Sequence, residues 1–195
     1  MRVLQLIDAL NVGGAENDPT IRKALAIGAT DAVRVDAEAK DPYFVAKQIA
    51  EYAKANSFDI VLTGKETINY NGAQIGSMVA EMLDQPFVSL AQKLEVSGNT
   101  ATLERDVPGG AEVVEVNTPF VLSAAKGMAE QRIPNMRGIM AARTKALNVV
   151  PATETAELTS IVSYNMPPAK SECKYIDADN MTELVELLHN EAKVI

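Results

Sequence analysis

The first two-thirds of the chain alternate short apolar runs with longer amphipathic stretches. The runs Val3–Ile7, Ala32–Val35 and Asp59–Thr63 are each followed by a stretch in which apolar residues recur at helical spacing. Continuous apolar runs are typical of strands that are covered on both faces, and strands joined by helices run parallel. The alternation therefore predicts an α/β fold, with a mostly parallel sheet and helices on both faces.

The pattern changes after Pro86. Four short strand-like segments follow up to Val116, separated by the turn-forming sequences Ser97–Asn99 and Pro108–Gly110, which predicts a small antiparallel extension of the sheet. From residue 151 the chain is rich in proline until a last amphipathic helix near the C-terminus. We therefore expect an α/β domain over residues 1–150, and a C-terminal arm and helix over 151–195 that pack on a partner subunit or on the chain's own domain.

Charge and apolar patterning exclude several classes of protein. Lys and Arg total 18 against 26 Asp and Glu, a formal net charge of −8, which disfavours general affinity for nucleic acid or anionic membranes. No apolar run approaches the roughly 18 residues that span a bilayer, so no membrane insertion is expected. The first eight residues are too short and too soon acidic for a signal peptide. The default expectation is a cytoplasmic protein.

The inventory of reactive side chains is small. Cys173 is the only cysteine, which excludes an internal disulfide and any multi-cysteine metal site, and His189 is the only histidine. The sequence shows no nucleophile–base pair and no metal-ligand spacing. We therefore predict no catalytic residues and no metal, and a protein that binds a cofactor rather than an enzyme that breaks bonds with its own side chains.

The segment from Thr63 to Ser77 connects the C-terminal end of a predicted parallel strand to a helix N-terminus. Open α/β sheets bind ligands at this position, where helix N–H groups and the helix dipole favour anions. Small and hydrogen-bonding residues suited to a phosphate are Asn69, Asn71, Gly72, Gln74, Gly76 and Ser77. The segment matches no established phosphate-binding motif, so a polar loop with capping residues is the competing interpretation.

The segment Lys126–Lys145 is basic in an otherwise acidic chain, with five Lys and Arg residues and one acid, Glu130. Within it, Pro134 stiffens a loop that carries Ile133 and Met136 beside Arg132 and Arg137. Apolar side chains exposed beside arginines suit a protein-binding surface. The alternative is a solvated helix end in which Ile133 and Met136 face the core.

Several ordered motifs resemble the β subunit of electron transfer flavoprotein from about Asn17 onwards. The most specific is Glu130–Arg132 followed by Gly138–Arg143. The other matching segments are Thr20–Ala29, Thr63–Lys65, Gln74–Gly76, Met78–Glu81, Leu103–Asp106 and Gly109–Glu112. The resemblance implies a Rossmann-like fold of the adenine nucleotide α-hydrolase type, with nucleotide binding in residues 1–150.

Members of this family pair with an α subunit that carries redox-active FAD. The resemblance therefore implies a heterodimer that passes electrons from acyl-CoA or other dehydrogenases to an acceptor. The β subunit buries an AMP, which a second FAD replaces in electron-bifurcating relatives.

The resemblance also assigns roles to particular residues. It extends the phosphate-binding loop to Ala73 and Ile75, and implies a dehydrogenase-recognition loop over Ile133–Gly138 with Met136 as its anchor. Asp106 falls at the acidic position that helps to hold the mobile flavin domain.

Two departures from the family leave alternatives open. Asn69 and Asn71 stand where aspartates are usual, and Ala73–Gln74 is reminiscent of the bifurcating type, so AMP and a second FAD are both possible. The N-terminus is shortened and atypical, which predicts an exposed sheet edge, and Met1–Glu16 also looks like the opening of a GT-B glycosyltransferase. The alternatives to electron transfer are a nucleotide-binding module whose site is incomplete and a transferase fragment.

Overall fold

The computed structural model describes residues 6–68, 70–170 and 172–195. Its strands are β1 (Asp8–Val12), β2 (Asp31–Asp36), β3 (Ile60–Gly64), β4 (Phe87–Ser97), β5 (Thr100–Val107), β6 (Gly110–Asn117), β7 (Phe120–Ala124) and β8 (Leu147–Pro151). Its helices are α1 (Asp18–Ile27), α2 (Pro42–Asn56), α3 (Ile75–Leu83), α4 (Met136–Thr144) and α5 (Met181–Glu186). The chain forms two compact units, of which the first ends at Ser160 and the second begins at Ile161.

The strands of the first unit form two sheets. In the first sheet β2 lies between β1 and β8, and all three strands are parallel. The second sheet has the order β3-β7-β4-β5-β6, with β3, β7 and β4 parallel and β4, β5 and β6 antiparallel. These sheets confirm the α/β class, the largely parallel arrangement and the antiparallel extension. The parallel strands are nevertheless divided: β1 and β3 are both edges, and Leu62 on β3 is exposed.

The first strand lies later in the chain than the apolar pattern predicts. Of the expected strand Val3–Ile7, residues 3–5 lie outside the described residues, and Leu6 and Ile7 precede β1. Pairing with β2 sets the position of β1, because Asp8 to Val12 align with Asp31 to Val35. Asn11 and Val12 are therefore the last residues of β1.

Helices cover both faces of the first sheet. Ile21 and Leu25 of α1 pack with Ala142 of α4 against Ala32 of β2, which places α1 and α4 on one face. On β2 successive side chains alternate between faces, and Val35 lies beside Tyr52 of α2 on the other face. Helix α3 packs on the second sheet through Val79 and Val121. Helices thus cover both faces of the first sheet, as parallel strands require, and α3 covers the face of the second sheet that carries Val121.

A buried arginine fixes the start of α1. Arg34 on β2 is 5% exposed, and its Nε donates to Asp18 Oδ1 at 2.8 Å while its Nη1 donates to the Gly13 carbonyl at 3.0 Å and to Asp36. Asn17 precedes the helix without a side-chain cap, and Asp18, the first helical residue, neutralises Arg34. Gly28 ends the helix with φ at +135°, a conformation that favours glycine.

Residues Thr153–Thr159, here called the strap, cross α2 after β8. The Gln48 amide, on the buried side of α2, pairs with the Thr153 backbone: its Nε2 donates to the carbonyl at 2.9 Å and its Oε1 accepts from the N–H at 2.7 Å. Asp41 uses one oxygen to cap α2 through Phe44 N–H and the other to accept from Leu158 N–H, both at 2.6 Å, and from Thr159 N–H at 2.9 Å. One carboxylate thus holds both the helix start and the strap.

The second unit consists of an extended segment and a helical end. Asn180 caps α5 by accepting from the N–H of Glu183 and donating to its carboxylate, and a π-helical turn over Leu187–Ala192 follows. The extended segment carries apolar side chains that are almost fully exposed, including Val162 at 96% and Met166 at 91%. The division of the chain at residue 150 and the docking of its C-terminal part stay predictions.

Replacing Asp41 with Asn is expected to lower the free energy of unfolding by about 1–3 kcal/mol, because an amide NH₂ then faces a backbone donor that the carboxylate accepted from. Urea unfolding at neutral pH measures the change. The matched control is Asp84→Asn, since Asp84 is exposed and in the left-handed conformation that Asn tolerates. Equal loss in both variants would contradict the role of Asp41.

The same carboxylate predicts an acid dependence of stability. Burial acts to raise the pKa of Asp41, but hydrogen bonds from the Phe44, Thr159, Leu158 and Tyr43 backbone outweigh it and leave the pKa lowered. A carboxyl with a lowered folded-state pKa stabilises the fold above its unfolded-state pKa, and this contribution is lost as the pH falls through the folded-state value. We expect the stability of Asp41→Asn to fall less steeply with acidification than that of the unaltered chain.

Candidate functional site

The loop between β3 and α3 is closed by one threonine. Thr67 N–H donates to the Gly72 carbonyl at 2.9 Å, and Thr67 Oγ1 accepts from Gly72 N–H at 3.0 Å. Asn71 donates its N–H to the Thr67 carbonyl and has φ at +53°, a left-handed conformation that asparagine tolerates. Asn69 lies outside the described residues. The loop therefore forms a hydrogen-bonded ring that leads directly into α3.

Helix α3 begins without a side-chain cap. Gln74 precedes the helix and makes no capping hydrogen bond, and the exposed Ser77 donates its hydroxyl to the Gln74 carbonyl at 2.9 Å. The first N–H groups of a helix have no partner within the helix, and together with the dipole they attract anions. Gly72, Ala73, Gln74 and Ser77 are therefore grouped around an uncapped helix start.

The two glycines of this region pack against protein atoms. At Gly76, which is buried, a Cβ atom would lie 2.7 Å from Thr63 Oγ1 and 2.9 Å from the Phe87 ring. At Gly72 it would lie 2.3 Å from the Tyr70 ring. Gly76 thus lets α3 approach β3 and β4 closely, so its missing side chain is explained by packing. Ile75 is half-buried in the same contact.

Charge around the loop is balanced. Between residues 64 and 77 the charged side chains are Lys65 and Glu66, which pair with each other at 3.1 Å. Asn71 is neutral, whereas the resemblance implies an aspartate at this position in most family members. Phosphate therefore meets no uncompensated carboxylate from this segment.

The residues expected at a protein-binding surface are exposed together at the start of α4. Ile133 is 84% exposed and Met136 is 73% exposed, and Arg132 and Arg137 beside them are exposed as well. Asn135 caps the helix by accepting from Gly138 N–H at 2.8 Å. The alternative in which Ile133 and Met136 face the core is wrong for this structure. We call these four exposed residues, Arg132, Ile133, Met136 and Arg137, the partner surface.

Asp106 lies elsewhere, on β5 of the second sheet. It is exposed and accepts a hydrogen bond from Gln92 Nε2. The partner surface belongs to α4, which packs on α1 beside the first sheet. The structure therefore places Asp106 in a different element from the other four residues expected to recognise partners, and its role stays a prediction.

Sequence reasoning did not identify Thr67 and Thr63. Thr67 closes the loop, and Thr63 Oγ1 donates to the Leu122 carbonyl at 3.1 Å, joining β3 to β7, while also filling the space beside Gly76. Both are polar residues in a segment already noted for its polar composition. Their partners lie across a loop or on another strand, so no local signal distinguishes them.

The single cysteine and histidine contribute no site. Cys173 is exposed, and His189 Nδ1 lies 3.0 Å from the Ile195 carbonyl on the surface. Within residues 6–68, 70–170 and 172–195, no group of three or more His, Cys, Asp or Glu is placed to hold a metal ion. Over the same ranges, no helix has both the length and the apolar character needed to cross a membrane.

Comparison with known proteins decides the family. The family model for the electron transfer flavoprotein domain matches residues 4–155. The electron transfer flavoprotein subunit beta of Bacillus subtilis is 35% identical over 204 residues, which cover 97% of this chain and 79% of that protein. This chain belongs to the electron transfer flavoprotein β-subunit family.

Other members of the family show similar agreement. The subunit beta of Syntrophomonas wolfei is 34% identical, covering 89% of this chain and 71% of that protein. The human subunit beta is 31% identical, with 87% and 70% covered. The family match begins at residue 4, so it includes most of the segment Met1–Glu16 that also resembled a glycosyltransferase.

The packing role of Gly76 predicts a specific loss of stability. Gly76→Ala is expected to lower the free energy of unfolding by about 1–3 kcal/mol, because the added methyl group overpacks the contact with Thr63 and Phe87. Gly64→Ala is the control, since a Cβ there meets nothing within 4 Å. Urea unfolding of both variants makes the comparison, and a Gly76→Ala protein as stable as the control would refute the assignment.

Proposed function

We propose that this chain is the β subunit of a heterodimeric electron transfer flavoprotein that carries electrons from acyl-CoA or other dehydrogenases to an acceptor. It acts as an electron carrier together with an α subunit. Family membership over residues 4–155 supports the carrier, and the uncapped start of α3 is the observation that supports a nucleotide site in this subunit.

We propose that the start of α3 binds the phosphate of AMP. The backbone from Gly72 to Gln74 and the hydroxyl of Ser77 surround the uncapped helix end, and the neutral loop lets an anion approach. A second FAD would place its phosphates on the same N–H groups, so these residues suit either nucleotide. FAD supplies the redox chemistry when it is bound, while this chain binds and orients nucleotide and partners.

We propose that the partner surface docks the dehydrogenase. Ile133 and Met136 together present apolar side chains that the fold itself leaves uncovered, and a partner pocket that buries them gains their transfer free energy. Arg132 and Arg137 surround them with positive charge. Asp106, on the other sheet, offers the carboxylate that we propose helps to hold the flavin domain of the α subunit.

We also propose that the C-terminal part of the chain packs on the α subunit. The extended segment after Ser160 exposes Val162, Tyr164 and Met166 almost completely. Apolar side chains in such a row are typical of a segment that is covered in a complex.

The open edges of β1 and β3 favour a second candidate function. Leu62 on β3 is 56% exposed, although the side chains of parallel strands are normally buried by helices and strand edges are normally protected. In this candidate the chain binds AMP but does not take part in electron transfer, because the nucleotide site is incomplete.

Co-expression with a matching α subunit, purified by a tag on this chain, distinguishes the candidates. A yellow heterodimer that releases AMP on denaturation supports the carrier, and FAD in excess of one per heterodimer in place of AMP identifies the bifurcating type. A chain that carries AMP but never pairs with the α subunit supports the second candidate. A colourless chain free of nucleotide contradicts both.

Ser77→Asp tests the nucleotide site in that heterodimer. The carboxylate stands in the first turn of α3, where it opposes a phosphate but suits the helix dipole, so we expect AMP to bind about tenfold more weakly with no loss of stability. Equilibrium dialysis with labelled AMP measures the change, and Ser77→Asn is the neutral control. Equal affinity of the two variants for AMP would show that the phosphate does not bind at the start of α3.

Alanine variants of Ile133 and Met136 test the partner surface and its anchor. Truncating the residue that a dehydrogenase pocket buries is expected to raise the dehydrogenase's KM for the heterodimer about tenfold. Pairing with the α subunit is expected to stay unchanged. Val113→Ala on β6 is the control, because Val113 is 67% exposed and lies outside the surface. A KM that is unchanged in both alanine variants and in the control would exclude docking at this surface. A larger increase for Ile133→Ala than for Met136→Ala would identify Ile133 as the anchor.

A further inference from the structure

Helices α1 and α4 approach each other very closely at Gly138. A Cβ atom at Gly138, in the first turn of α4, would lie 2.4 Å from the carbonyl oxygen of Ala26, in the last turn of α1. Towards the other end of α4, Arg22 of α1 reaches the carbonyl of Ala142. At Gly138 the two helices therefore approach so closely that no side chain fits between them.

Two cations close this contact reciprocally. Arg22 Nη1 donates to the carbonyls of Ala142 at 2.7 Å and Lys145 at 3.3 Å, at the end of α4. Lys145 Nζ donates to the carbonyls of Ala29 at 2.6 Å and Leu25 at 3.3 Å, at the end of α1. Arg22 of α1 thus binds carbonyls at the end of α4, and Lys145, the residue that follows α4, binds carbonyls at the end of α1. The negative dipole end of each helix favours the cation placed there. We call Arg22 and Lys145 the α1–α4 clamp.

Helix α4 has few other contacts to hold it. It is nine residues long, and Ala142 is its only buried residue. Helices of this length are unstable on their own and are held in place by tertiary contacts. With so little apolar burial, the direction of α4 depends on the backbone approach at Gly138 and on the clamp. Lys145 is therefore set apart from the other cations of its basic segment, because its ammonium group points at backbone carbonyls.

We infer that Arg22 and Lys145 are positioning residues for the partner surface. Met136 is the first residue of α4 and Ile133 lies two residues before its cap, Asn135, so a rotation or shift of α4 moves both apolar side chains. The clamp fixes α4 on α1 and thereby presents the surface in one orientation, which lowers the entropy cost of docking. This inference rests on the proposed docking function of the partner surface.

The test uses the heterodimer carrying Lys145→Met, which keeps most of the side-chain length and removes the donor. The KM for the heterodimer in dehydrogenase-driven reduction is expected to rise about fivefold with kcat unchanged, and amide exchange over residues 136–144 to quicken. Lys145→Arg keeps a cationic donor and is expected to restore most of both properties. Lys93→Met is the matched control, because Lys93 is an exposed lysine paired with Glu104 on the antiparallel extension.

The outcomes separate the clamp from the docking function. Faster exchange in α4 with an unchanged KM overturns the positioning role if truncating Ile133 or Met136 still raises the KM. Unchanged exchange and KM overturn the clamp itself. If truncating the partner surface leaves the KM unaltered, the docking function fails, and the exchange data alone then decide whether the clamp holds α4. Arg22→Met provides the same measurements should Lys145→Met fail to fold.

Discussion

Arg34 places a full positive charge inside the first unit, and the elements around it are arranged to neutralise that charge. Its guanidinium joins the first turn of α1 through Asp18, the turn after β1 through the Gly13 carbonyl, and the end of β2 through Asp36. A buried cation that loses one of its partners is strongly destabilising. These contacts therefore fix the position of the N-terminal end of α1 on the sheet, and α4 packs in turn on α1. Arg34 on β2 holds α1, and α1 holds α4, so the orientation of the exposed Met136 depends on this buried charge.

A second buried charge organises the opposite face. Asp41 accepts hydrogen bonds both from the start of α2 and from the strap, so it connects the helix to the segment that ends the first unit. Gln48, further along α2, holds the beginning of the strap in the manner of a neighbouring strand. The C-terminal unit begins directly after this attachment, at Ile161. A carboxylate inside the first unit thus holds the last residues of that unit in place.

The sequence predicted the features that depend on local conformation and missed those that depend on distant pairing. The antiparallel extension follows from the turn-forming sequences that separate its strands, and the loop before α3 was located correctly from its polar composition. By contrast, the position of β1, the existence of β8 and the division into two sheets are set by strand partners far away in the chain. The candidate site shows the same limit: the sequence could not reveal that the small size of Gly76 lets α3 pack closely against Thr63 and Phe87. The sequence likewise did not distinguish Lys145 from the other cations of its segment, because the Leu25 and Ala29 carbonyls that it binds are 120 and 116 residues away in the chain.

The contacts that close the first unit join segments made at very different times during synthesis. Arg22 and Ala142 are 120 residues apart, Gln48 and Thr153 are 105 apart, and Asp41 and Leu158 are 117 apart. At about 5–20 residues per second, a ribosome needs roughly 5–20 s to add the second member of each pair after the first. Throughout that interval the parallel strands are incomplete and their apolar faces are open, and closing such long loops is entropically unfavourable. The nascent chain therefore exposes apolar sheet surface until the segment from Ala142 to Leu158 has been synthesised.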